Sequence, residues 1–191
     1  MKVVAFSGSP RKDGNCERMI RTVFAVLEEE GIKTELVQIG GSLLQGCTAC
    51  NKCYENQDEA CVIRSDCLNE FVQKMIEADG ILLASPTYFA DVTAEMKAFI
   101  DRCGMIGKAN GDLFQRKVGA AIISVRRGGA IHAFDTINHF FLISQMIIPG
   151  SSYWNMGLGG NPGDVESDEE GLATMELLGH NMAWLLKKIH T

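Results

Sequence analysis

The sequence predicts an α/β fold: a doubly wound sheet of five parallel strands in the order 2-1-3-4-5, with helices on both faces. Two observations predict it. Short runs rich in valine, isoleucine and leucine alternate along the chain with longer stretches whose apolar residues recur every three or four positions. That alternation implies parallel strands joined by helical crossovers, right-handed by the usual rule. The second observation is punctuation. Gly/Ser/Pro-bearing turns close the first and third apolar runs, at the strand ends where such sheets place their ligands.

Lys2 to Phe6 reads as the first buried strand. Met19, Ile20, Val23, Phe24 and Leu27 form the stripe of a helix that Gly31 stops. Thr34 to Ile39 reads as strand two and Gly80 to Ser85, closed by Pro86, as strand three. Leu68 to Glu77 is helical between them. Asp91 is the expected N-cap of a helix carrying Val92, Met96, Phe99, Ile100 and Cys103 on one face. Val118 to Val125 is the fourth strand. Ile131 to Met146 is a long apolar helix, and Ile147-Ile148 opens a short fifth strand. Ser167-x-x-Glu170 reads as a capping box before a last helix, with Leu172, Met175, Leu178, Met182, Leu185 and Ile189 as its buried stripe. Gly40 to Asp66 shows neither period and is too long for an idle connection. The reading is therefore one domain over residues 1–191, with a cysteine-rich loop at 40–66.

Composition narrows the function. A length of 191 residues suits one full-sized core, and 46% apolar with 22% charged residues is ordinary for a globular protein. The net charge of -6 argues against nucleic acid as the main partner. No apolar run approaches the roughly 20 residues needed to cross a bilayer. The start, Lys2-Val3-Val4-Ala5-Phe6, lacks the pattern of a signal peptide, so a cytoplasmic location is expected.

Three loops carry chemistry. Ser7-Gly8-Ser9-Pro10-Arg11-Lys12-Asp13-Gly14-Asn15-Cys16 joins a buried strand to a helix N-terminus, where free amides and the helix dipole favour an anion. Ser7 and Ser9 add hydroxyls, Arg11 can fork onto a phosphate, and Asn15 suits the N-cap or a direct contact. Neither Gly-Lys-Ser/Thr nor G-x-G-x-x-G is present, so a terminal monophosphate is the better guest. In Ser85-Pro86-Thr87-Tyr88-Phe89-Ala90, beside the first loop in the expected fold, Thr87, Tyr88 and Phe89 offer the apolar floor and backbone amides that a flavin ring needs. In Ser124-Val125-Arg126-Arg127-Gly128-Gly129 the glycines permit close backbone approach, and a cation there would stabilise an anionic reduced ring. The plain reading of each loop is a turn with solvated or core-capping side chains.

Four of the seven cysteines, Cys47, Cys50, Cys53 and Cys61, follow one another at x2-x2-x7 spacing. Three cysteines so spaced can fold around one face of an iron-sulfur cubane, with the fourth ligand from elsewhere; Cys61 is the first choice and Cys67 the reserve. Zinc would accept the same thiolates, though it is usually held by two separate knuckles. A disulfide and an unfilled site of packing thiols are the other readings. His132, His139, His180 and His190 show no ligand spacing. Tyr153 and Trp154 suit either a lid over a flavin or an interface.

Gly8-Ser9-Pro10-Arg11-Lys12-x-Gly14-Asn15, Ser85-Pro86-x-Tyr88-Phe89 and Lys97-x-Phe99-Ile100-Asp101-Arg102 resemble the NADPH-dependent FMN reductase superfamily over nearly the whole chain. Within it, the cysteine run resembles the iron-sulfur flavoproteins. The resemblance implies a flavodoxin-like fold, FMN, a [4Fe-4S] cluster on Cys47, Cys50, Cys53 and Cys61, and a homodimer or homotetramer in which electrons pass between cluster and FMN across a subunit interface. It carries FMN contacts to Ser7, Ser9, Arg11, Asn15, Pro86, Thr87, Tyr88 and Phe89, with Cys16 facing the phosphate through its backbone. It extends more loosely to Arg126, Gly128 and Gly129, where relatives have a longer glycine-rich stretch. The expected electron donor is NAD(P)H or a ferredoxin-like protein. Flavin N5 takes the hydride, so no catalytic side chain is assigned. A cluster-free NAD(P)H-dependent FMN or quinone reductase and a non-enzymatic redox carrier or sensor are the alternatives.

Overall fold

The apolar runs form the sheet. In the computed structural model, which describes residues 1–190, strands β1 (Lys2–Ser7), β2 (Lys33–Gln38), β3 (Gly80–Pro86), β4 (Val118–Val125) and β5 (Met156–Leu158) are all parallel and lie in the order β2-β1-β3-β4-β5. Thr191, the last residue of the expected domain, lies outside the described residues. Helices α1 (Asn15–Glu29), α2 (Lys52–Asn56), α3 (Leu68–Glu77), α4 (Ala94–Ala109), α5 (Ala130–Ile143) and α6 (Glu169–Ile189) complete the chain, with a 3-10 turn at Asp164–Ser167.

Because strand side chains alternate, each central strand feeds two cores. Val3, Ala5, Leu82, Ala84, Ala120 and Ile122 pack against α1 and α6. Val4, Phe6, Ile81, Leu83, Ala121 and Ile123 pack against α3, α4 and α5. On that second face Phe6 lies on Phe99 with ring centroids 4.8 Å apart, and Phe71 meets both rings edge-on. Among the described residues no helix is long and apolar enough to cross a membrane.

Four local expectations are corrected. The fifth strand is Met156–Leu158, paired with Ile123–Val125, and not Ile147-Ile148. Ile147 makes one isolated bridge to Val118 at the other end of β4, and the chain then meets Pro149, which has no N–H to continue a ladder. The N-cap of α4 is Thr93, whose side chain accepts from the Met96 amide, and not Asp91. Asp91 instead closes the preceding turn. Asp168 caps α6 by accepting from the Gly171 amide, so Ser167 starts no capping box. The α6 stripe centres on Met175, Leu178, Met182 and Leu186, while Ile189 is exposed.

Thr93 does more than cap. It is buried, its Oγ1 donates to the Gly8 carbonyl at 3.0 Å, and its amide donates to Ser85 Oγ at 3.0 Å. Helix α4 is thereby tied to the loop after β1. Replacing Thr93 by Ala should cost about 1–2 kcal/mol, and Asp91→Ala should cost less. Urea unfolding followed by circular dichroism ranks the two.

Candidate functional site

The loop after β1 is held from behind. The Ile39 and Gly40 amides both donate to the Ser7 carbonyl at 2.9 Å, the Gly8 amide donates to the Ala84 carbonyl at 2.7 Å, and Gln38 Nε2 donates to the Ser9 carbonyl. Gly40 runs so close that a Cβ there would lie 2.2 Å from the Ser9 carbonyl carbon. Above the loop, α1 starts after Gly14, which offers no capping side chain. Its first-turn amides therefore face outward, available to an anion.

A cavity of about 170 Å³ opens at this point, lined by Ser9, Arg11, Asn15, Cys16, Pro86, Thr87, Tyr88, Ser124, Arg126, Gly159 and Gly160. Eight of the expected cofactor residues meet there. The hydroxyl of Thr87 is buried with no hydrogen-bond partner, as is that of Ser7 behind the wall. A buried hydroxyl left unpaired costs about 1–3 kcal/mol, which a polar ligand in the cavity would relieve. A positive, amide-rich cradle with a spare hydroxyl fits the phosphate end of FMN.

Several expected residues stand elsewhere. Ser7 does not line the cavity. Phe89 is fully exposed, at φ +49°, and with Ala90 at φ +63° it forms a left-handed turn closed by the Tyr88 and Asp91 amides. Gly128 and Gly129 line a separate groove of about 510 Å³ with Arg127, Tyr153, Trp154 and the start of α6. There Tyr153 and Trp154 pack edge-to-face, 4.5 Å between centroids. The Cys16 thiol is buried against Ser124, and burial pushes its pKa up to about 12.

Sequence reasoning missed the lid of the cavity. Asn15 neither caps α1 nor projects freely at a phosphate: its Nδ2 donates to the Asn161 carbonyl at 3.0 Å and its Oδ1 accepts from the Gly163 amide at 2.9 Å. Arg11 Nη1 donates to the Gly160 carbonyl at 3.1 Å. These bonds draw Gly159–Gly163 over the loop. The signal was the run Gly159-Gly160-Asn161-Pro162-Gly163, a backbone built for close approach.

The cysteine segment folds onto α4. Cys47, Cys50, Cys53 and Cys61 all line one cavity, with Arg102, Met105 and Ile106 as its floor; Cys67 does not line it and sits at the cap of α3. Ala49 and Asn51, both at positive φ, turn the chain between cysteines, and the short helix α2 follows. The Ala49 amide donates to Cys47 Sγ at 3.5 Å, the Lys52 amide beside Cys50 holds that thiol below its ordinary pKa, and burial pushes the Cys53 thiol up. Backbone amides on sulfur favour thiolates and are how a protein supports an iron-sulfur cluster. All seven cysteines are free. Among the described residues no three His, Cys, Asp or Glu side chains close on a point where one metal ion would sit. Four thiolates around a cubane stand further apart than four around one zinc ion, since each binds its own iron.

A buried ion pair anchors this segment. Arg102 donates through Nη1 to the Asp66 carboxylate and to the Gln45 carbonyl at 3.1 Å, and through Nη2 to the Ile63 carbonyl at 3.4 Å. Burial opposes the Asp66 charge, but hydrogen bonds from Arg102, Gln45 and Leu68 outweigh it and hold the carboxyl below its ordinary pKa. Asn69 fixes the fourth cysteine by accepting from the Cys61 amide at 2.7 Å.

The fold agrees with what the chain is similar to. The model of the family described as NADPH-dependent FMN reductase matches residues 1–161, and the chain belongs to that family; it is a flavin-dependent oxidoreductase. Its relatives include iron-sulfur flavoproteins. One, from Methanocaldococcus jannaschii, is 38% identical with 99% of each chain covered. Another, from Methanosarcina thermophila, is 34% identical over 99% of this chain and 97% of the relative. A structure of RosB superposes with a TM-score of 0.80 at 18% identity, covering all of this chain and 80% of that one. A flavodoxin from the domain Archaea does so at 0.63 and 18%, covering 98% and 99%. At such identities these two show the fold alone.

The burial pattern fixes thiol reactivity. In the cofactor-free protein, iodoacetamide should label the exposed Cys47 and Cys50 first, and Cys16 and Cys103 only after unfolding. Peptide mass spectrometry at successive times reads the order.

Proposed function

We propose that this protein passes electrons between FMN, bound by its phosphate in the cavity after β1, and a [4Fe-4S] cluster on Cys47, Cys50, Cys53 and Cys61. The observation that carries the reading is the convergence of those four cysteines on one cavity, where the Ala49 amide donates to Cys47 Sγ. The names of the relatives, iron-sulfur flavoproteins, support it.

FMN would supply hydride and single-electron chemistry; the protein supplies binding, orientation and exclusion of water. Arg11 holds the phosphate as a charge-assisted donor, Ser9 and the first-turn amides of α1 complete the cradle, and Thr87 offers its spare hydroxyl. Arg126, at the end of β4, brings a positive charge to the same cavity.

Helix α4 separates the two sites. Its cap, Thr93, touches the phosphate loop, and Arg102 meets the cysteines. At about 1.5 Å rise per residue, Arg102, Met105 and Ile106 stand roughly 13–20 Å from that cap along the helix axis. This supports transfer between the cluster of one subunit and the FMN of another, in a homodimer or homotetramer supplied by NAD(P)H or a ferredoxin-like donor.

Two measurements test the reading. Protein purified anaerobically should be brown, absorb broadly near about 400 nm and carry about four irons and one FMN per chain; yellow, iron-free protein from anaerobic cells contradicts the cluster. Arg11→Gln should weaken FMN binding by about 10- to 100-fold, the loss of one hydrogen bond to a charged group, and weaken riboflavin binding far less. Fluorescence titration with both flavins reads the difference.

A further inference from the structure

Among the described residues Arg102 is the largest fully buried side chain, 1% exposed, and the side chain of its partner Asp66 is 2% exposed. A guanidinium cannot lose its proton in a protein, so burying it demands that every N–H find an acceptor. Both terminal nitrogens find at least one: Nη1 donates to Asp66 and the Gln45 carbonyl, and Nη2 donates through one of its two N–H groups to the Ile63 carbonyl. Nε does not. It is buried without a hydrogen-bond partner. The guanidinium is planar, so the bonds at Nη1 and Nη2 fix the direction of Nε–H. Arg102 also lines the cavity of Cys47, Cys50, Cys53 and Cys61, and is the one arginine that does.

The cavity that Arg102 lines is where an acceptor for Nε would stand when it is filled. A thiolate or sulfide sulfur is a soft anion that accepts from N–H, as Cys47 already does from the Ala49 amide. Resting on the cluster reading above, we infer that the Arg102 Nε–H donates to a sulfur of the cluster or of its Cys61 ligand, and raises the cluster's reduction potential. The direction follows from charge. Adding one electron makes the cluster more negative, and a donor fixed on a cation stabilises the reduced form more than the oxidised form. Lysine could not do this, because its single nitrogen cannot serve the Asp66 side and the sulfur side together. Arg102 therefore does two jobs with one planar group: its terminal nitrogens clamp the cysteine segment, and Nε addresses what the segment holds.

The test uses the anaerobic holoprotein labelled with 15N-arginine and reduced with dithionite. Pulsed EPR of the reduced cluster should show a coupled arginine 15N, absent from Arg102→Lys. EPR-monitored redox titration should place that variant lower in potential. At a fixed potential its oxidised-to-reduced ratio should rise about tenfold, which for a one-electron couple is about 59 mV. A reduced wild-type cluster with no arginine nitrogen coupling overturns the inference, and so does an unchanged midpoint in a loaded Arg102→Lys. If the variant fails to hold iron, the wild-type coupling decides alone. Iron-free wild-type protein overturns the cluster reading itself, a result distinct from the other two.

Discussion

The carboxyl end of β1 is the constraint on which the rest depends. There the Ser7 carbonyl accepts two amides from the segment after β2, Gly8 donates to β3, and Thr93 closes the loop from the cap of α4. Three neighbouring elements thus hold one turn in place before any ligand arrives. A parallel sheet makes this possible, since its strand ends all open on one edge, where the order reverses between β1 and β3. The phosphate cavity follows from that pinning. So does the lid, because Arg11 and Asn15 can hold Gly159–Gly163 only if their own backbone does not move.

Helix α4 links this loop to the cysteine segment. One end caps on Thr93 and the C-terminal half presents Arg102, Met105 and Ile106 to the cysteines. The clamp between them is electrostatic and buried. Removing one member of such a pair leaves an uncompensated charge, at a cost of about 3–5 kcal/mol. The irregular stretch after β2 therefore has a defined path without a core of its own. It is tied at Gln45, Ile63 and Asp66 to Arg102, at Cys61 to Asn69, and at Gln57 and Glu59 to the end of α4.

The sheet was legible because buried parallel strands need continuous apolar runs, and β1, β3 and β4 are such runs. The fifth strand was not. Met156-Gly157-Leu158 is short and carries no β-branched residue, and the glycine is needed because a Cβ there would meet Met19 Sδ at 2.4 Å. Ile147-Ile148 has the better composition and lost to Pro149. Capping also misled: Asp91 and Ser167 have the right chemistry one or two positions early, and only the path of the chain selects Thr93 and Asp168. In the site, the four cysteines were legible from spacing. Arg102 was visible only as part of a family motif, with its work hidden: Lys97 and Asp101 pair on the surface, Phe99 and Ile100 pack the core, and Arg102 turns to the cysteines. No local pattern reports a contact with residues so distant in sequence.

The central claim is that one chain builds two redox sites, one beside the N-cap of α4 and one on its C-terminal half. Diffraction at the iron absorption edge, from crystals of the anaerobically prepared holoprotein, tests it most directly. The account predicts anomalous density for a four-iron cluster enclosed by Cys47, Cys50, Cys53 and Cys61 against Arg102, and FMN with its phosphate between Ser9, Arg11 and the start of α1. Iron ligated by Cys67 in place of Cys61, those four cysteines without iron, or FMN seated in the Tyr153–Trp154 groove with the β1 cavity empty would contradict it.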